Sequence, residues 1–200
     1  MKRLAVPALL AFAGLCATAA AQPVDDLGRW HAGAYSYSAE MGGFAIVGIS
    51  GSGRTADDPV VLVQEFHSAS PVTLVIRAER PTRPRNFVGD FADGFIHMRI
   101  VTLNNSGLPW VGFEFELQER LGEPSTFGDG LSFDQRNTES DSIFCDRFSE
   151  YSRDFEPYDR LLFRNGHTDP LQTVTFGFLI TDFTPRWEFF LVQDPALPFS

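Results

Sequence analysis

From Tyr35 to Val192 the chain alternates apolar and polar residues over short runs, and Gly, Pro, Asn and Asp separate one run from the next. Side chains that change face at every residue mark strands, so the pattern predicts a succession of strands and turns; no stretch keeps a helical period. The clearest run, Val111 to Glu119, sends Val111, Phe113, Phe115 and Leu117 to one face and Gly112, Glu114, Glu116 and Gln118 to the other. One face is core and the other wet. Thr173 to Thr181 repeats the device with Val174, Phe176, Phe178 and Ile180 inward and mainly threonines outward, and Val72 to Glu79 sets Leu74, Ile76 and Ala78 against Thr73, Arg77 and Glu79.

Further strands are expected over 34–38, 44–50, 60–67, 95–104, 160–164 and 187–192, with weaker candidates at 131–134 and 142–148. About ten strands are too many for one open sheet. The expected fold is therefore all-β, a two-sheet antiparallel β-sandwich of the jelly-roll or immunoglobulin-like kind. Asn104-Asn105-Ser106-Gly107 lies between two strong strands and reads as a hairpin turn. Gly122 to Tyr158 departs most from strand pattern and is expected to form long loops, with a short helical turn near Ser149 to Phe155.

Composition adds a filling for that core. Twenty phenylalanines supply much of the apolar volume where aliphatic residues are few. At the start of the chain, Lys2 and Arg3 precede an apolar run from Leu4 to Leu15, too short to span a bilayer comfortably, and Ala19-Ala20-Ala21 meets the small-residue cleavage pattern. Residues 1–21 are read as a cleavable secretory signal and residues 22–200 as one domain, periplasmic or extracellular. Taking Lys2 and Arg3 from the 16 basic residues leaves 14, all arginine, against 26 acids, and moves the formal charge from −10 to −12. Such a surface argues against nucleic acid or an anionic membrane as partner. No later segment has the length and apolarity of a transmembrane helix. Cys16 leaves with the signal, so Cys145 is alone and the domain is not stapled by an internal disulfide.

Candidate chemistry concentrates in the acidic stretch. Asp129, Asp134, Asp141, Asp146, Asp154, Glu156 and Asp159 are candidate ligands for Ca2+, which takes six to eight oxygens that loops can converge; ion pairing with neighbouring arginines is the alternative reading. Trp110, Tyr151 and Tyr158 are candidate stacking platforms for sugar rings, against ordinary core or edge packing. Four scattered histidines offer no zinc spacing. Gly48 to Arg54 is a glycine-rich turn without the Gly-Lys-Ser/Thr ending of a phosphate loop, and no Gly-x-Ser-x-Gly elbow occurs.

Glu114 to Glu119 resembles the E-x-D-x-x-E strand of the laminarinase and lichenase glycosidases, with Glu116 where that pattern has Asp. The resemblance implies Glu114 as nucleophile and Glu119 as acid/base; strand alternation sets the two on opposite faces unless a bulge intervenes. The stretches Val101 to Phe115 and Leu171 to Pro195, behind a signal segment, resemble uncharacterised exported bacterial β-sandwich proteins, some of which carry a Pro-Glu-Pro sorting tail for exosortase. The final residues Ala196 to Ser200 lack that motif. The leading expectation is a non-catalytic exported surface, matrix or ligand-binding module whose partner is a polysaccharide or a cell-surface protein. A glycan-active hydrolase using Glu114 and Glu119 and a small outer-membrane barrel are the alternatives.

Overall fold

The computed structural model describes residues 28–86, 88–136, 142–154 and 157–198. The proposed signal segment, Asp141 and Glu156 lie outside them. Among the described residues there are fourteen strands, one 3-10 turn (Phe127–Asp129) and no α-helix. The strands are β1 (Trp30–Ala32), β2 (Tyr35–Ser38), β3 (Phe44–Ser50), β4 (Val60–Phe66), β5 (Val72–Ala78), β6 (Phe95–Asn104) and β7 (Gly112–Arg120), then β8 (Glu123–Pro124), β9 (Leu131–Phe133), β10 (Phe144–Cys145), β11 (Phe148–Asp154), β12 (Arg160–Gly166), β13 (Thr173–Asp182) and β14 (Glu188–Ala196). No described helix is long and apolar enough to cross a membrane.

The strands form two sheets packed face to face, as expected of a β-sandwich. A front sheet runs β1-β2-β5-β14-β7-β12-β11, with β8 continuing the β7 edge; a back sheet runs β3-β4-β6-β13, with β9 and β10 sharing the far edge of β13. Neighbours are antiparallel except β4 and β6, which run parallel. Both sheets end on open edges, so the described strands do not close into a barrel; this corrects the outer-membrane alternative. The front sheet ends on β1 and β11 and the back sheet on β3 and β10; β1 and β10 are only three and two residues long and leave little template for edge-to-edge association, whereas β3 and β11 each run seven residues.

Phenylalanine fills the space between the sheets. Phe113 and Phe115 of β7 and Phe163 of β12 meet Phe176 of β13 with ring centroids 4.7, 5.0 and 5.0 Å apart, and Phe115 lies 4.9 Å from Phe178. All five rings are buried, each worth about 1.5–3 kcal/mol of burial. One polar contact crosses this layer: Gln64 of β4 donates to Gln193 of β14 at 2.6 Å and to Thr102 of β6 at 2.9 Å, and Gln193 donates back at 3.2 Å. The three residues are fully buried. A register shifted by one residue would strand these amides, so they help select one alignment of the sheets.

Four local expectations are corrected. Asn104 to Gly107 is not a hairpin, because β6 and β7 belong to different sheets; the segment is an arch in which the Asn104 amide donates to the carbonyls of Leu108 at 2.9 Å and Thr168 at 3.0 Å. Residues 148–154 form an edge strand paired with β12 instead of a helical turn, and Phe155 lies outside the described residues. The stretch from Gly122 to Tyr158 holds four strands between its loops: β9 and β10 fall on the weaker candidates at 131–134 and 142–148, while β8 and most of β11 lie where loop was expected. Val111 is exposed rather than inward, since the strand proper begins at Gly112.

Candidate functional site

Of the five expected calcium ligands among the described residues, three serve the backbone instead. Asp129 accepts the Thr126 and Leu131 N–H groups at 2.9 and 3.0 Å, closing the 3-10 turn. Asp146 accepts the Thr175 N–H at 2.8 Å. Asp134 is buried beside Arg136, 3.6 Å away, and Asp154 is exposed at the end of β11 opposite Arg160. Asp159 is fully buried and accepts the Phe133 N–H at 3.3 Å; burial pushes its carboxyl up to about 6. Among the described residues no three Asp, Glu, His or Cys side chains gather as a metal-holding group.

The aromatic candidates separate. Trp110 is fully buried against Phe66 and Phe113 with its indole N–H donating to Ser106 at 3.2 Å, so it has no free face for a sugar ring. Its place just before a strong strand reads equally well as rim or core, and the arch takes it inward. Tyr151 is exposed on the β11 edge, leaning toward Phe163. Tyr158 is exposed on the opposite side, with the Arg160 guanidinium 4.3 Å from its ring centre.

The carboxylate pair suggested by the glycosidase resemblance does not assemble. Glu114 projects from the outer face of β7, whereas Glu119 ion-pairs with Arg186 at 2.5 Å and lies close enough to Asp182, at the end of β13, to raise that carboxyl. The irregular register between Gln118 and Arg120 does not return Glu119 to the Glu114 side.

What gathers around Glu114 is a different set. Cross-strand register puts Asp194 of β14 directly opposite Glu114, and Arg160 of β12 directly opposite Glu116. Residues so paired on one face hold their Cβ atoms about 4.5–5.5 Å apart. Arg160 bridges both glutamates, 3.1 Å from Glu114 and 3.0 Å from Glu116, and Gln118 donates to Glu116 at 2.7 Å. Among the described residues the Asp194 carboxylate has neither an ion pair nor a hydrogen bond. Partial burial raises Glu114 and Asp194 above the ordinary carboxylate range; Arg160 opposes this at Glu114, and Glu116 adds to it at both.

These residues line an open trough on the outer face of the front sheet. One part, about 280 Å³, is bounded by Pro71, Glu114, Glu116, Arg160, Val192 and Asp194. The adjoining part, about 350 Å³, shares Pro71, Glu114 and Asp194 and continues over Leu162, Pro195, Ala196 and Leu197. The trough is thus charged at one end and apolar at the other, with the two carboxylates where the ends meet. Glu114 was visible in the sequence as an outward acid; Asp194 was not, because β14 inserts between β5 and β7 from far along the chain.

Fold and trough define an all-β sandwich with an amphipathic groove on a sheet face. The chain matches no family model, no curated protein and no solved structure.

Proposed function

We propose that this protein is an exported, non-catalytic binding module that lays a short stretch of polysaccharide along the front-sheet trough. The observation that carries the reading is the trough's division into an apolar shelf and a carboxylate and arginine end. A pyranose ring presents a patch of C–H groups beside a rim of hydroxyls. Pro71, Leu162 and Leu197 offer surface for the first, and Asp194, Glu114 and Arg160 offer acceptors and donors for the second. Tyr158, beside Arg160, extends the charged end with an exposed ring. The groove is shallow and sits on rigid strands, which suits holding a polymer without enclosing it. The signal-like first 21 residues support export.

The test is calorimetric titration of the chain from Gln22 onward with neutral oligosaccharides. Saturable binding is expected, weakened about tenfold by Asp194→Asn or Leu162→Asp, with the oligosaccharide recovered uncut. Absence of saturable binding to every glycan offered would end the reading.

One observation favours a second reading, a retaining glycoside hydrolase. Glu114 and Asp194 stand opposite each other with both carboxyls raised, and a nucleophile and acid/base pair needs carboxyls about 5–5.5 Å apart. Cleavage abolished by Glu114→Gln would favour it over the binding module.

A further inference from the structure

The outer face of the back sheet is apolar where the trough is charged. Cross-strand register lines up Gly48 of β3, Val63 of β4, Val101 of β6 and Thr175 of β13 across it, with Val61 on one side of this row and Leu103 on the other. These three valines and Leu103 are partly exposed, and Val47, at the bulge in β3, is 50% exposed. No described strand lies over them. A sheet face that stays in water carries polar side chains at its outward positions. Aliphatic ones on the interior strands β4 and β6 mark a surface that another molecule covers.

Two properties of the face identify that molecule. The first is size. β3 and β4 run seven residues each and β6 and β13 ten each. At about 3.3 Å per residue and about 4.8 Å between strands they span a plane of roughly 500 Å². Side-chain relief brings the accessible area to the scale of the about 800 Å² that each partner contributes to a stable interface. The second is charge. Val61 stands opposite Arg99 and Glu65 opposite Leu103, so Arg99 and Glu65 lie equally far to either side of the Val63–Val101 pair. A two-fold axis in the plane of the face, through that pair and perpendicular to the line from Arg99 to Glu65, sets each Arg99 over the partner's Glu65. Stacked sheets stand about 10 Å apart, a gap that the two side chains span together. Arg99 is held on the face by the Phe144 ring, 5.8 Å away. Glu65 accepts from the Asn105 amide at 2.6 Å with His67 3.7 Å away, and retains lone pairs for a guanidinium.

We propose that the outer face of the back sheet pairs with the same face of a second copy of this chain, stacking two sandwiches about a two-fold axis. Val61, Val63, Val101 and Leu103 form the dry centre, and two Arg99–Glu65 ion pairs, one at each side, fix the register. A patch that is its own complement is what a two-fold interface requires. The trough lies on the other sheet and stays open in both copies, so the pairing stands whether or not the trough binds glycan.

The test is sedimentation equilibrium of the chain from Gln22 onward. At about 100 μM chain a species of twice the monomer mass is expected, and it should dissociate on dilution. Val63→Asp, which places a carboxylate in the dry centre, should weaken the dimer more than about tenfold. Arg99→Glu and Glu65→Arg should each weaken it about tenfold, and the two substitutions together should restore it. Within one chain the two residues are about 14 Å apart, so that recovery arises between chains and separates a lost contact from a lost fold. A monomer at this concentration gives the face to a different molecule and overturns the proposal. A dimer that Val63→Asp or Arg99→Glu leaves unchanged, or that the double reversal does not recover, overturns it too.

Discussion

The two outer faces of the sandwich are built by the same ladder and finished in opposite ways. On the front sheet the acids stand together because Glu114, Glu116 and Asp194 occupy outward positions of β7 and β14 in one register. On the back sheet the outward positions of β4 and β6 hold Val61, Val63, Val101 and Leu103. Period-two alternation therefore announces half of the trough and nothing of the valine face, because a strand that is apolar on both sides does not alternate. A charged face keeps its water until a polar ligand replaces it. An apolar face gains by giving its water up to a matching surface.

The largest effect is expected when the floor beneath the trough is removed. Phe176 touches Phe113, Phe115 and Phe163, the inward partners of the strands that carry Glu114, Glu116 and Arg160. Phe176→Ala is expected to cost about 3–5 kcal/mol in denaturant unfolding and to weaken glycan binding along with stability.

Next comes the turn that follows β3. Gly51 has φ +80°, and a Cβ there would overlap the Pro59 carbonyl oxygen, so Gly51→Ala should cost about 2 kcal/mol. Its signature is selective: pairing through the back sheet weakens while the trough still binds. Equal damage to both faces would show that the two regions are not independent.

Acidity sharpens the picture further. Asp182, whose backbone N–H donates to the Gly94 carbonyl at 2.7 Å, and Asp159 are both pushed up to about 6 by burial from 3.8. Between those values the folded chain retains protons that the unfolded chain has released. The stability these groups contribute is therefore fully present below about pH 4 and is lost as pH rises through about 6, on the order of 1–3 kcal/mol each. The melting temperature should rise on going from pH 7.5 to pH 5. Asp182→Asn, which keeps an oxygen to accept the Thr184 N–H, should raise stability at pH 7.5 and flatten that slope.

The smallest effect is at Arg160. Arg160→Gln leaves three acids together but partly solvated, and about 1 kcal/mol or less should be lost, with weaker glycan binding.

Fold class was legible because strand alternation and the phenylalanine-rich runs of β7 and β13 state it directly. β11 was not, since its side chains are mostly exposed on both faces and it is held by backbone pairing to β12. The Asn104 arch reads as a hairpin because turn residues are the same whether the chain returns to its own sheet or crosses to the other. At the sites, Glu114 and Tyr158 could be named from sequence. Asp194 and Arg160 needed strand order, and so did the valine face, where β4 lies parallel to β6. The acidic run promised a shared cation, but Asp129, Asp146 and Asp159 each have a backbone N–H of their own to accept.

The central claim is that the outer face of the front sheet is the binding surface. An isotope-labelled titration of the chain from Gln22 onward with a neutral oligosaccharide tests it most directly. Saturable amide shifts are expected at Glu114, Glu116, Arg160, Leu162 and Asp194, strongly reduced by Asp194→Asn. Shifts confined to the Gly122 to Tyr158 loops, or none at saturation with any neutral glycan, would contradict it.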